Sequence, residues 1–216
     1  MNVLLPISLG YNCYIKRYLD SISSSETNLF DWLGTSMWGI YLLFQEDFKD
    51  AFNRDHYHFV KVTSTRRPVV THDRYYIRVL HDDMTTYTEK YLRRLERLKR
   101  LFQTDRHLLF IRLEESQNAR IMYDQYKDYY QHDELHYIRL LTEYLVTNYP
   151  NLQFSFIHIK PINEGEPEIF TTKHLEHQTI QITTRTEFVW DKCTTQLAEI
   201  FKGASKVLEG VGIGYI

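Results

Sequence analysis

One segment, His107–Leu113, constrains the fold more than any other part of the sequence. It reads H-L-L-F-I-R-L, so apolar side chains occupy consecutive positions instead of alternating with polar ones. Strands of this kind are buried on both faces, as in parallel sheets covered by helices on each side. The segment therefore predicts a central buried strand.

Strand and helix patterns alternate along most of the 216 residues. Further strands are predicted at 3–9, 57–62, 69–70, 75–80, 152–159, 168–170 and 179–183. Helices are predicted at about 12–23, 37–53, 86–103, 120–130, 134–148 and 188–201. This alternation predicts a single α/β domain over residues 1–216, layered around a central mixed, partly parallel sheet flanked by helices, with a small-residue tail from about residue 203.

The composition narrows the function classes. A formal net charge of -2 gives no global electrostatic case for binding nucleic acid or an anionic membrane. No apolar run approaches the roughly 18 residues that a membrane span needs. The two cysteines, Cys13 and Cys193, lie near opposite ends of the chain and form no disulfide framework, so we expect a reducing, cytoplasmic compartment. The glycines at 210–214 precede no helix that could receive a phosphate, and no cofactor is expected.

Cys13 falls at the predicted first turn of a helix. Asn12 fits as the N-cap, and both the backbone N–H groups and the helix dipole would favour a thiolate there. The alternative is that Cys13 is a small buried hydrophobic residue, as free cysteines often are. Cys193, inside the last predicted helix, is interpreted as a core residue.

His81 follows the predicted strand 75–80. Ligand sites in α/β sheets lie outside the C-terminal ends of strands, so His81 and Cys13 could reach the same crevice. Asp82 and Asp83 could orient the imidazole or cap the next helix. A hydrogen-bonded histidine at a strand end is the alternative interpretation.

No metal site is predicted from the other histidines. His132 and His136 lack the glutamate that follows the first histidine of the zinc peptidase pattern. The remaining sets have no complete ligand group at suitable spacing; they are His56, His58 and His72, and His174 with His177.

The predicted helix at 86–103 carries a basic face at 90–100. This face could bind phosphate or nucleic acid, which is one of the alternative functions. Interspersed Glu89 and Glu96 are typical of an ordinary solvated helix. Together with the net charge, they make nucleic-acid binding unexpected.

Several motifs together resemble a known family. The motifs are S-L-G-Y-N-C at 8–13, N-L-F-D-W-L at 28–33, L-H-D at 80–82, Y-L-R-R-L-E-R-L at 91–98 and L-L-F-I-R-L at 108–113. They resemble a family catalogued as papain-like cysteine peptidases, found in bacteria and large DNA viruses. The chain departs from that pattern at Leu29, where the family has proline, and at Asp83, where it has phenylalanine.

The resemblance implies that Cys13 is a nucleophile and His81 its base. We therefore predict a cysteine-dependent hydrolase or acyl transferase acting on a protein, peptide or small-molecule carbonyl substrate. Asp82 or Asp31 would orient the base, and the Cys13 backbone N–H and the Asn12 amide would bind the oxyanion. The candidate substrate-binding residues are Ser8, Trp32 and Arg112. The alternative is a non-catalytic ligand- or protein-binding module on the same fold.

Overall fold

The computed structural model describes residues 4–22, 26–60, 69–79, 82–114, 132–161, 170–174, 179–184, 188 and 191–210. His81 and the predicted helix at 120–130 lie outside these residues. Within them, no helix is both long enough and apolar enough to cross a membrane.

The main sheet has the spatial order β1 (Leu4–Ser8), β6 (His107–Leu113), β7 (Gln153–Pro161), β9 (Thr179–Thr184) and β8 (Phe170–His174). The first four strands are parallel, and β8 pairs antiparallel with β9. The prediction of an α/β fold with a partly parallel sheet is confirmed. Because β1, β6, β7 and β9 are parallel, their C-terminal ends lie together at one edge of the sheet, which we call the C-terminal edge.

Five helices flank this sheet in the described part of the chain. Side chains of α1 (Tyr14–Ile22) and α5 (Cys193–Gly210) pack on one face, with Leu109 and Ile111 of β6. Side chains of α2 (Met37–Gln45), α3 (Tyr87–Leu101) and α4 (Glu134–Asn148) belong to the core of the other face, with Leu108 and Phe110. Successive β6 side chains therefore enter two different cores, which is why this segment is continuously apolar.

A second, antiparallel sheet has the order β2 (Leu33–Gly34), β5 (Arg78–Val79), β4 (Val69–His72) and β3 (Tyr57–Val60). The predicted strand 75–80 is wrong in extent, since Tyr76 adopts a φ of 49° and pairing begins only at Arg78. The strand β5 lies in the antiparallel sheet, so the rule that ligand sites lie at the C-terminal ends of the strands of an α/β sheet does not support a site at its end.

Two predicted helix boundaries also differ. The second helix ends at Gln45, not near 53, because Asp47, Phe48 and Asp50 have positive φ angles and form turns. The last helix begins at Cys193 and continues to Gly210, so residues 203–210 are helical where the sequence predicted a tail. The extension is explained by Ala204 and Leu208, whose side chains are buried in the core shared with α1.

Gly39 lets α2 approach the chain at Tyr75. A Cβ at this position would lie 1.9 Å from the Tyr75 carbonyl oxygen. Because a backbone oxygen cannot rotate aside as a side chain can, Gly39→Ala should lower the free energy of unfolding by about 1–3 kcal/mol or more, measured by urea denaturation. Gly203→Ala, at an exposed position of α5, is the control and should raise it by about 0.5–1 kcal/mol. Equal effects in the two variants would contradict the close approach.

Candidate active site

The loop after β1 turns the chain sharply into α1. Gly10 and Tyr11 have φ angles of 75° and 78°, which reverse the chain direction. The Asn12 Oδ1 accepts a hydrogen bond from the Tyr14 N–H at 3.0 Å, and the Cys13 carbonyl accepts from the Arg17 N–H at 2.9 Å. The predicted cap is confirmed, and Cys13 stands at the start of α1 beside the C-terminal edge.

Thr35, from the segment before α2, holds this loop in place. Its hydroxyl donates to the Leu9 carbonyl at 2.7 Å and accepts from the Tyr11 N–H at 3.2 Å. A Cβ on Gly10 would lie 2.5 Å from the same hydroxyl, so glycine is required there by contact as well as by φ. Ser8, a predicted substrate-binding residue, is fully buried, and its Oγ accepts from the Gly10 N–H at 3.2 Å.

The Cys13 thiol is buried, with only 2% of the residue exposed. Burial raises its pKa to about 11, although its own backbone N–H and the charge of Arg17 act in the opposite direction. The helix-start stabilisation predicted from the sequence is thus present, but desolvation outweighs it. At neutral pH Cys13 is therefore a thiol in this conformation. Cys193, at the start of α5, is also buried and adds slightly to the rise.

The carboxylate of Asp82 is held by α3. One oxygen accepts from Lys90 Nζ and the other from the Tyr91 hydroxyl. Burial alone would raise the pKa of Asp82, but these hydrogen bonds bring it below its ordinary value. Asp82 is thus an ionised carboxylate with both oxygens engaged by α3.

Asp31 is completely buried beside the middle of α1. Its Oδ2 accepts from the Asn28 N–H at 2.5 Å and lies 3.8 Å from Lys16 Nζ. Burial raises the pKa of Asp31 to about 6, against the lowering effects of these partners. This carboxylate ties the segment before β2 to α1. Trp32, which follows it, is half-buried.

Arg112 is the largest fully buried side chain of the protein's described part. Its Nε donates to Glu134 Oε2 at 2.8 Å, and its Nη2 donates to Glu134 Oε1, which makes the pair bidentate. Its Nη1 lies 3.3 Å from both the Leu9 carbonyl and the Thr35 hydroxyl. Arg112, a predicted substrate-binding residue, joins β6, α4 and the Cys13 loop.

A buried histidine adjoins this ion pair. In the sheet register His158 lies opposite Arg112, and Gln181 lies opposite His158. The His158 Nε2 is 3.0 Å from Glu114 Oε2 and 3.9 Å from Glu134 Oε2, and its Nδ1 is 3.0 Å from Gln181 Nε2. The C-terminal edge therefore carries a buried polar cluster, which we call the edge cluster: Arg112, Glu114, Glu134, His158 and Gln181.

The sequence interpretation did not single out Glu114, Glu134 or His158. A usable signal was present, since Arg112 and His158 are the polar residues of two short runs, 108–113 and 156–159, whose other residues are apolar. The partner of Arg112 lies 22 residues away, however, and only the fold brings it close.

The basic helix is largely neutralised. Arg94 is buried, with its guanidinium 4.7 Å from the Tyr91 ring centre. Four other basic side chains have acidic partners: Lys90 with Asp82, Arg93 with Glu89, Arg97 with Glu26, and Lys99 with Asp47. These contacts weaken the case for nucleic-acid binding.

Glu134→Ala should leave the buried Arg112 guanidinium without its bidentate partner. We expect the free energy of unfolding to fall by about 3–5 kcal/mol in urea titrations. Glu89→Ala is the control, because Glu89 and Arg93 form an exposed pair at 3.8 Å, and its effect should stay within about 1 kcal/mol. Comparable losses in both variants would show that the buried pair is not special.

Asp31 should make stability depend on pH. The pKa of Asp31 is about 6 in the folded protein and has its ordinary value of 3.8 in the unfolded chain. The free energy of unfolding is therefore highest below about pH 4, where Asp31 is protonated in both states, and it falls as the pH rises through 6. About two pKa units correspond to about 3 kcal/mol. Asp31→Asn should remove this fall in urea unfolding measured from about pH 4 to 7, whereas Asp55→Asn, on an exposed turn, should keep it. The same pH slope in Asp31→Asn as in the wild type would refute the assignment.

Comparison with curated proteins and with solved structures finds no match. One family model does match, over residues 5–161 of the 216. The match includes Cys13, His81 and Arg112 and ends with β7, so β9 and Cys193 lie beyond it. Since it covers nearly three quarters of the chain, the protein belongs to the family described as "Putative papain-like cysteine peptidase".

Proposed function

We propose that this protein is a cysteine-dependent hydrolase or acyl transferase in which Cys13 is the nucleophile and His81 the general base. The observation that carries the proposal is the position of Cys13, at a helix start beside the C-terminal edge and inside the family match. Ligand and catalytic groups of α/β proteins lie at this edge.

A contact between the two sheets supports His81 as the base. Arg78 of β5 donates to the Tyr11 carbonyl at 3.3 Å, two residues before Cys13. His81 follows Arg78 by three residues, a length of chain that spans at most about 10 Å. The strand that precedes His81 in the sequence therefore contacts the loop that carries Cys13, although this strand belongs to the antiparallel sheet.

The burial of Cys13 indicates how the reaction would start. Since the pKa of the thiol is about 11, the resting state contains a neutral thiol instead of a preformed thiolate–imidazolium ion pair. His81 would take the proton as Sγ attacks the carbonyl carbon, and the Asn12 amide would stabilise the oxyanion. The Asn12 Oδ1 accepts a hydrogen bond from the Tyr14 N–H, which holds the side-chain amide in place.

The remaining steps balance without a cofactor. The bond to the leaving group breaks, the leaving group receives the proton from His81, and a thioester forms at Cys13. Water in a hydrolase, or an amine or alcohol in a transferase, then attacks the thioester and gives its proton to His81. Breaking the C–S bond returns that proton to sulfur.

An activated ester provides a test that needs no knowledge of the natural substrate. With p-nitrophenyl acetate we expect a burst of about one p-nitrophenol per chain and acetylation of the Cys13 peptide, detected by mass spectrometry. Cys13→Ser should abolish both signals, and His81→Ala should slow the burst by at least about 100-fold. Cys193→Ser and His136→Ala are the matched controls and should behave as the wild type. An unchanged burst in Cys13→Ser would overturn the proposal.

One observation favours the alternative of a non-catalytic binding module: Cys13 is almost completely buried, as an inert core cysteine would be. The same experiment separates the two functions. A binding module gives no burst, and its Cys13 is alkylated by iodoacetamide only as the pH approaches the raised pKa, with no change in His81→Ala. Cysteine chemistry predicts faster alkylation in the wild type than in His81→Ala.

A further inference from the structure

We propose that Glu114, Glu134 and His158 of the edge cluster bind a divalent transition-metal ion such as Zn²⁺. One potential ligand atom from each residue lies within 4.8 Å of the other two, and all three residues are buried. They come from the end of β6, the start of α4 and the middle of β7. The proposal does not depend on the cysteine chemistry proposed above.

The imidazole of His158 is the observation that points to a ligand. Only 1% of this residue is exposed, and its Nε2 has no hydrogen-bond partner within the part of the chain that the structure describes. The nitrogen nevertheless lies close to two carboxylates, 3.0 Å from Glu114 Oε2 and 3.9 Å from Glu134 Oε2. A buried nitrogen so close to two oxygens, without a hydrogen bond, is suited to share a cation with them.

The spacing fits a small metal ion. Tetrahedral ligands about 2.1 Å from a zinc ion lie about 3.4 Å from one another. The two measured separations, 3.0 and 3.9 Å, lie on either side of that value. Imidazole nitrogens and carboxylate oxygens are both zinc ligands, and catalytic zinc sites have three protein ligands and leave a fourth position for water or substrate.

Gln181 supplies the support that a metal-bound histidine needs. A histidine that binds metal through Nε2 carries its proton on Nδ1, and this proton is usually held by a neighbouring acceptor. The Gln181 amide nitrogen, a donor, lies 3.0 Å from Nδ1. Rotating the amide by 180° exchanges its nitrogen and oxygen without changing the shape of the side chain, and the oxygen can then accept the Nδ1 proton.

The charges of the cluster favour a cation. Counted formally, the two carboxylates and the Arg112 guanidinium leave one negative charge in a buried site. A divalent ion changes this to one positive charge, which a bound hydroxide or an anionic substrate group would cancel. Glu134 can serve both Arg112 and the metal, because each carboxylate oxygen has two lone pairs.

Metal binding can be measured directly on the full chain. After dialysis against a chelator, titration with Zn²⁺ should give one tight site per chain by calorimetry and elemental analysis, with a higher thermal unfolding midpoint. Co²⁺ should give visible absorption bands typical of a four-coordinate site. Glu114→Gln and His158→Gln should each weaken Zn²⁺ binding at least about tenfold.

Three variants serve as controls. His107→Gln removes another strand histidine, located at the opposite end of β6. His132→Gln breaks a surface pair in which the His132 and His136 rings lie 4.2 Å apart and could bind zinc by themselves. Cys13→Ser removes the proposed nucleophile. All three should bind Zn²⁺ as the wild type does.

The proposal fails if the chelated chain binds no stoichiometric Zn²⁺, which would identify the cluster as an internal polar network without a metal. It also fails if folded Glu114→Gln and His158→Gln, checked by circular dichroism, bind as tightly as the wild type, or if only His132→Gln loses binding. Loss of acetylation in Cys13→Ser with unchanged zinc binding would separate this proposal from the cysteine chemistry.

Discussion

Arg112 places a permanent positive charge in the interior of the main sheet, and much of the local structure satisfies that charge. Glu134 neutralises this charge in a bidentate pair, while the Leu9 carbonyl and the Thr35 hydroxyl accept hydrogen bonds from the remaining guanidinium nitrogen. Burying a guanidinium is tolerable only when its donors are occupied. The start of α4, the segment before α2 and the loop after β1 are consequently fixed relative to one another.

The same demand shapes the surroundings of Cys13. The Thr35 hydroxyl accepts hydrogen bonds from Arg112 Nη1 and the Tyr11 N–H, and it donates one to the Leu9 carbonyl. The thiol is presented by a loop whose backbone is fully specified, which suits a catalytic group. Its burial also suppresses ionisation, so the proposed reactivity would have to come from a base acting during attack and not from a thiolate at rest.

Two distinct polar centres therefore lie at the C-terminal edge. The Cys13 loop leads into α1, whose core-facing side chains meet α5, whereas the edge cluster lies on the sheet face covered by α2 and α4. Arg112 links them, because it contacts the Leu9 carbonyl next to the loop and Glu134 within the cluster. A bound cation and a reactive thiol would share this single buried arginine as a common support.

The elements that the sequence determined are those with strong local signals. Consecutive apolar residues determined β6, helical spacing determined α3 and α4 to within a few residues, and Asn12 determined the start of α1. The motifs around Cys13 and Arg112 also pointed to the family, because a short motif can be identified from the order of its residues without any knowledge of tertiary contacts.

Only the tertiary structure decided the rest, since it depends on residues that are distant in the sequence. The strand at Arg78 joined an antiparallel sheet because its partners are β2 and β4, a choice that periodicity does not encode. The pKa of Cys13 was decided by burial, which reflects packing and not neighbouring residues. Likewise, Glu114, Glu134 and His158 meet only because β6, α4 and β7 converge at one edge, where their charges must compensate one another away from water.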